Sequence, residues 1–345
     1  MSDNLKKQLN KIICGDALKV LKTIPSETID CVITSPPYWA LRDYSVKGQI
    51  GLEENFEEYL EKLILVFDEI KRVLKPSGTC WVNFGDTYSN KNKGGHRNKP
   101  QGNMFDSLTK RATFKRLKTE LSVPPKSLCL IPSRFAIKMI ERGWILRNEI
   151  IWHKPNAMPN SVRDRFTVDF EKVFFLVKNR NYFFKQQFEP VKNPQELMRR
   201  FANPFETHQY RKSDRKFPKS LEQMKKRQKE ILAQGRKKRC VWSIGNGQSI
   251  SNHFAVFPPK LIETPILAGC PENGIVLDPF LGSGTTAIVA KQLNRNFIGI
   301  ELNPKYVKLA RNRIKNNGKL KPKSNLNHQP NKHHQPNKKL TNDHQ

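Results

Sequence analysis

Apolar residues along the chain fall into two alternating patterns. Stretches rich in β-branched and apolar positions recur as KIIC (11–14), residues 28–34, GTCWVNFGD (78–86), WILRNEIIWHKPN (144–156) and DFEKVFFLVK (169–178). Their apolar and β-branched content predicts strands. Between them, apolar positions recur three and four apart. The clearest case is 56–74, with Phe56, Leu60, Leu63, Phe67, Ile70 and Leu74 on one face and Lys75-Pro76-Ser77-Gly78 as a stop. Helices are likewise predicted for ALKVLKTI (17–24) and 132–142. Near the C-terminus the alternation is regular: GIVLDPF strand, TTAIVAKQL helix, NFIGIEL strand, PKYVKLARNRI helix. Strands alternating with helices predict a parallel, doubly wound α/β sheet.

Two stretches break the pattern. Residues 87–126 carry ten basic residues with weak periodicity and are expected to form a mobile basic loop. Residues 180–240 hold 18 basic and 6 acidic residues interleaved with Phe and Tyr. Cations for phosphates with rings for bases suit nucleic acid, and a helical insertion with a small core is the plainer alternative. After Asn317 the composition reduces to Lys, Asn, His, Pro and Gln, with HQPNK at 328–332 and 334–338, and a disordered tail is expected.

Charge changes the picture further. Lys and Arg total 62 against 31 for Asp and Glu, a formal net charge of +31 in 345 residues. Such an excess points to a polyanionic partner, most simply nucleic acid. Six scattered cysteines without paired spacing read as free thiols of a reducing compartment. The polar start MSDNLKKQLNK and the lack of a long apolar run predict a soluble, cytoplasmic protein. No His/Cys/carboxylate cluster has metal-ligand spacing, so no metal is expected.

Two loops carry the candidate chemistry. Ser35-Pro36-Pro37-Tyr38 ends the strand at 28–34, where two prolines cannot continue a ladder. Gly282-Ser283-Gly284-Thr285-Thr286-Ala287 follows the strand ending at Asp278 and opens a helix. Glycines there let the backbone approach a ligand, and Glu301 at the end of the next strand is suited to ribose hydroxyls. This pattern alone fits NAD as well. It begins only about sixty residues from the end, so the missing strands must come from earlier in the chain, as in a circularly permuted sheet. The carboxylate in Asp278-Pro279-Phe280 favours a cationic nucleoside with an α-amino group, such as S-adenosylmethionine, over pyrophosphate.

Together these residues resemble the amino-group DNA methyltransferases of the permuted β group, found in restriction–modification systems. The likeness covers most of 11–315. It rests on SPPY as catalytic loop, DPFLGSGTT as cofactor loop, and their order with a variable stretch between. Gly15-Asp16, RVLKPSGT, WVNFGDTY, GWILRNEIIWHKPN and HFAVFPPKLIE add to it. The resemblance implies a permuted Rossmann-like fold whose catalytic half spans 11–179 and cofactor half 250–316. It implies a target-recognition region at 180–245 and a second DNA-facing loop at 87–126. Asp278, Phe280, Gly282 and Gly284 would line the methionine part of S-adenosylmethionine, with Pro279, Ser283 and Thr285 of the same loop. Glu301 would bind the ribose, Asp16 the adenine amino group, and Phe257 and Pro258 would wall the pocket. The partner would be double-stranded DNA, with room for a cognate restriction endonuclease sharing the target site.

An exocyclic amino group is a poor nucleophile, because its lone pair is conjugated with the ring. An acceptor at residue 35 and the Pro36 carbonyl can draw the amino hydrogens and localise that lone pair, with Pro37 keeping the loop stiff. Tyr38 can stack on a base extruded from the duplex. Within the family, Ser at the first position goes more often with cytosine N4 and Asp with adenine N6, so cytosine N4 is expected and adenine N6 is the alternative. Cytosine C5 chemistry needs a Pro-Cys nucleophile, which is absent. A nucleotide-dependent oxidoreductase would leave the SPPY loop unexplained, and a DNA-binding regulator would use the charge alone.

Overall fold

The computed structural model describes residues 3–89, 123–191, 193–195, 198–199, 221–246 and 257–316. The expected mobile loop (90–122 of it), the centre of the basic region (200–220) and the tail (317–345) lie outside the described residues.

Eight strands form one sheet in the order β1-β10-β9-β2-β3-β5-β4-β8. They are β1 (Lys11–Cys14), β2 (Ile29–Thr34), β3 (Leu74–Phe84), β4 (Ile145–His153), β5 (Phe170–Val177), β8 (Val241–Ser243), β9 (Ile275–Asp278) and β10 (Asn296–Glu301). The first five in spatial order run parallel, β5 is antiparallel to β3 and β4, and β8 lies parallel to β4 at the edge. A separate two-stranded ladder pairs β6 (Phe188–Glu189) with β7 (Arg236–Lys237). The two C-terminal strands therefore slot between the two N-terminal ones, as the permuted order requires.

Period-two alternation sends neighbouring residues to opposite cores. Val32, Cys80, Val82, Phe84, Leu277 and Ile298 face one core. Helices α2 (Ala17–Leu21), α3 (Phe56–Val73) and α4 (Ile131–Glu141) cover it. Cys31, Ile33, Trp81, Val276 and Phe297 face the other. There they meet α6 (Pro259–Gly269), α7 (Thr285–Gln292) and α8 (Pro304–Lys315). Helix α3 starts at Asn55, whose side chain accepts from the Glu58 N–H at 2.7 Å, with Glu57 and Glu58 in its first turn. Two further helices are α1 (Asp3–Gln8) and α5 (Leu221–Gln234).

Some boundaries differ from the pattern-based expectation. The Lys75-Pro76-Ser77-Gly78 stop does end α3, yet β3 already begins at Leu74. The register slips between the Ile29–Leu74 and Cys31–Thr79 pairs, so the proline sits at an irregularity where no ladder bond is lost. The basic region is anchored to the sheet at both ends. Phe184 stacks on Phe175 with centroids 5.7 Å apart, Tyr182 meets the same ring edge-on, and β8 pairs with β4. Tyr182 and Phe184 thus tie the start of the basic region to the sheet. Cys14 and Cys240 are exposed, the other four cysteines are buried, and all six are free. Among the described residues, no helix is long and apolar enough to cross a membrane.

The topology sets where a ligand can bind. β9 leads through α7 to β10 on one side, and β2 leads through α3 to β3 on the other. Because β2 and β9 are adjacent, their crossovers diverge and open a crevice at the carboxyl ends of the strands.

Candidate active site

A cavity of about 530 Å³ occupies that crevice, within the size range of small-molecule sites. Ser35, Pro36, Pro37 and Tyr38 line it, as do Asp16, Phe257, Pro279, Phe280, Gly282, Ser283, Thr285 and Glu301. Two loops far apart in sequence thus share one wall, because β2 pairs with β9.

Three residues from the same expectation sit behind the wall. Pro258 is buried at the start of α6. Gly284 has φ of +88°, and a Cβ there would come within 2.9 Å of the Ala310 Cβ, so glycine lets α8 approach the loop. Asp278 is 1% exposed and turned inward. Its carboxylate accepts from Thr34 Oγ1 and Thr286 Oγ1, each at 2.7 Å, and from the Phe280 N–H at 3.1 Å. It pins the end of β2 to the start of α7. Burial pushes its pKa up to about 6 despite those bonds.

That shift gives a pH prediction. A carboxyl at the ordinary 3.8 when unfolded and about 6 when folded binds its proton more tightly in the fold. Its stabilising contribution is present at low pH and is lost as pH rises through 6, by about 3 kcal/mol in total. Asp278→Asn lacks this dependence. Its unfolding free energy should therefore rise relative to the wild type by about 2 kcal/mol between about pH 4 and pH 7. Denaturant titrations at the two pH values check this, and a constant difference would contradict it.

On the cofactor side, Glu301 uses one oxygen for the Gly282 N–H and the other for the Asn303 N–H, both at 2.8 Å. The first bond ties the glycine loop to β10. Each carboxylate oxygen keeps a further lone pair, and burial raises the pKa of this group as well. Asp16 caps α2 through Oδ1, which accepts from the Lys19 N–H at 2.9 Å. Its other oxygen has no partner among the described residues. Ser283 is held by Arg313, which donates to its carbonyl at 2.6 Å. Tyr44 packs edge-on against Tyr306 with centroids 5.9 Å apart, and both line the cavity.

On the other side, Tyr59 of α3 donates to the Pro37 carbonyl at 2.7 Å, fixing the loop from beneath. The Pro36 carbonyl accepts no hydrogen bond among the described residues. Tyr38 stacks on Phe84, with centroids 6.1 Å apart and planes within 10°. A Cβ at Gly85 would come within 2.6 Å of its ring, so glycine makes room for it. One face of the Tyr38 ring is thus already taken. Desolvation, with Glu171 nearby, raises its pKa well above the ordinary value, so it stays a phenol. Trp39 is buried, donates to the Glu53 carbonyl and does not line the cavity.

Asn83, Trp152, Lys154, Glu171 and Asn246 also line this side and were not singled out from the sequence. Asn83 and Lys154 lie within WVNFGDTY and GWILRNEIIWHKPN, which carried resemblance but no assigned role. Among the described residues, no group of His, Cys and carboxylates could hold a metal.

Comparison with known proteins gives the chain a family and its fold a set of relatives. Residues 29–312 match the sequence model of a family described as DNA methylase. The chain is 39% identical over 300 residues to the Type II methyltransferase M.Cfr9I of Citrobacter freundii, covering 87% of this chain and 86% of that protein. It is 40% identical over 306 residues to the Type II methyltransferase M.SmaI of Serratia marcescens, covering 88% and 90%. In fold it is similar to the cytosine-N4-specific PvuII DNA methyltransferase, with a TM-score of 0.56 at 22% identity over 89% of this chain and 90% of the other. It is also similar to a DNA modification methylase of Thermus thermophilus solved with S-adenosyl-L-methionine. There the TM-score is 0.52 at 23% identity, over 89% and 95%.

Proposed function

Because this chain belongs to the DNA methylase family of restriction–modification methyltransferases, we propose that it transfers the methyl group of S-adenosylmethionine to the exocyclic N4 of a cytosine flipped out of duplex DNA. One observation carries this reading. An acceptor-bearing SPPY loop and a glycine loop backed by a carboxylate leave adjacent strands and line one cavity.

The residues suit the methyl donor. Glu301 has lone pairs for a ribose diol, Asp16 has a spare oxygen for an adenine amino group, and Phe280 and Phe257 offer apolar walls. When bound, S-adenosylmethionine supplies an electrophilic sulfonium methyl. The chain's own part is to prepare the nucleophile. Ser35 Oγ and the Pro36 carbonyl accept hydrogen bonds from the two amino N–H groups and turn the nitrogen lone pair toward the methyl; the nitrogen would lose one of these protons to water once methylated. Tyr38, which lines the cavity, would hold the extruded base against its ring. A neutral hydroxyl at residue 35 can accept from the amino group without setting a full charge beside cytosine N3.

The test is transfer of labelled methyl groups from S-adenosylmethionine to mixed-sequence duplex DNA by the full chain. Label in acid-insoluble DNA supports the reading. Its absence, together with binding of NAD instead, would replace it with the oxidoreductase alternative.

DNA binding yields a separate prediction. Arg236 and Arg239 both bond to Glu189, at 2.8 and 2.9 Å, and so brace the β6–β7 ladder. Lys226 and Lys229 are exposed on α5. Reversing both to Glu should weaken duplex binding and reduce the slope of log K against log salt by about two or more. An unchanged affinity and slope would remove α5 from the DNA face.

A further inference from the structure

A serine hydroxyl both donates and accepts. To polarise an amino group it must accept, so its own hydrogen has to be committed elsewhere. We propose that Glu171, acting through Tyr38, is the positioning residue that commits this hydrogen and so presents the Ser35 oxygen to the substrate as an acceptor. The inference rests on the amino-methyltransferase reading above.

The polarity follows from counting hydrogens. Glu171 lies in β5, with a carboxylate that accepts only. Its Oε1 takes the Lys154 ammonium. Its Oε2 takes the Tyr38 hydroxyl at 2.8 Å and the Asn83 amide at 2.7 Å. The same Asn83 Nδ2 is 2.9 Å from the Tyr38 oxygen, so both amide hydrogens are used. Turning this amide over would set its carbonyl oxygen against the carboxylate. The observed orientation instead leaves Asn83 Oδ1 buried with no hydrogen-bond partner among the described residues, at a cost of about 1–3 kcal/mol. The carboxylate outweighs that cost.

Tyr38 then has one proton, and it goes to Glu171. Its oxygen already accepts from Asn83, and toward Ser35, at 3.3 Å, it can only accept again. The Ser35 hydrogen therefore points to Tyr38, and the oxygen's lone pairs remain for the cavity. A neutral hydroxyl is thereby made to act as a carboxylate oxygen would, without the charge. The ring stack on Phe84 and the room left by Gly85 keep the Tyr38 hydroxyl in register.

Single-turnover methyl transfer to duplex DNA tests this in the full chain, using the wild type, Tyr38→Phe, Glu171→Ala and the double variant. Tyr38→Phe keeps the ring and leaves the Asn83–Glu171 bond intact, so it is the variant most certain to fold. Each single change should slow transfer at least about tenfold, and the double variant should be no slower than the slower single, because both cut the same chain. Affinities for S-adenosylmethionine and duplex should stay within about twofold. A wild-type rate in Tyr38→Phe would overturn the inference, as would losses that multiply in the double variant or that fall on DNA affinity instead of rate. A wild type that transfers no methyl group would overturn the underlying reading itself, whatever the variants do.

Discussion

Ser35→Ala is expected to slow methyl transfer by about two to three orders of magnitude while leaving cofactor and duplex binding close to wild type. The side chain sits on a loop whose shape does not depend on it. Two prolines restrict the backbone, and Tyr59 holds the Pro37 carbonyl from below. Removing the hydroxyl leaves the Pro36 carbonyl as the remaining acceptor of the pair proposed for the amino group. The nitrogen lone pair then stays largely conjugated, and the loss falls on the chemical step. Rapid-quench methyl transfer with saturating cofactor, alongside binding titrations, separates the two effects. Wild-type turnover in Ser35→Ala would remove the proposed role.

Asp278→Ala is the second large effect, through a different cause. The carboxylate does not face the cavity. It joins Thr34, the residue before Ser35, to Thr286 in the first turn of α7. Truncation leaves two buried hydroxyls and the Phe280 N–H without their acceptor, plus a small void. A loss of about 2–4 kcal/mol in stability is expected, together with at least about tenfold weaker S-adenosylmethionine binding as the glycine loop loses its anchor. Asp278→Asn keeps the shape and an acceptor, and should retain most of both. Thermal unfolding and cofactor titration on the two variants check this ordering. Equal behaviour of Ala and Asn would contradict it.

Much of this arrangement was legible in the sequence, for physical reasons. The strands at 29–34 and 275–278 are buried throughout because both faces of a parallel sheet are covered. The double proline after Thr34 and the glycines after Asp278 mark the strand ends, where such sheets bind ligands. The order of the two loops implied the permutation that β9 and β10 realise. What stayed hidden depends on space rather than spacing. Glu171 lies 133 residues from Tyr38, and nothing along the chain joins them; only the antiparallel β3–β5 pairing brings Glu171 beside Asn83 and Tyr38. Asp278 reads as a ligand-facing carboxylate until Thr34 and Thr286 are seen to claim both of its oxygens. β8 has three residues, too few to carry a period, and it sits inside a stretch whose charge dominates its pattern.

The central claim is that the cavity prepares an exocyclic amino group for direct methylation, with Ser35 selecting cytosine. It is tested most directly by incubating the purified full chain with S-adenosylmethionine and mixed-sequence duplex DNA, then digesting the DNA and identifying the methylated nucleoside by mass spectrometry. The account predicts N4-methylcytosine. N6-methyladenine would keep the amino-group mechanism and refute the selection by Ser35, and 5-methylcytosine as the product would contradict the account outright.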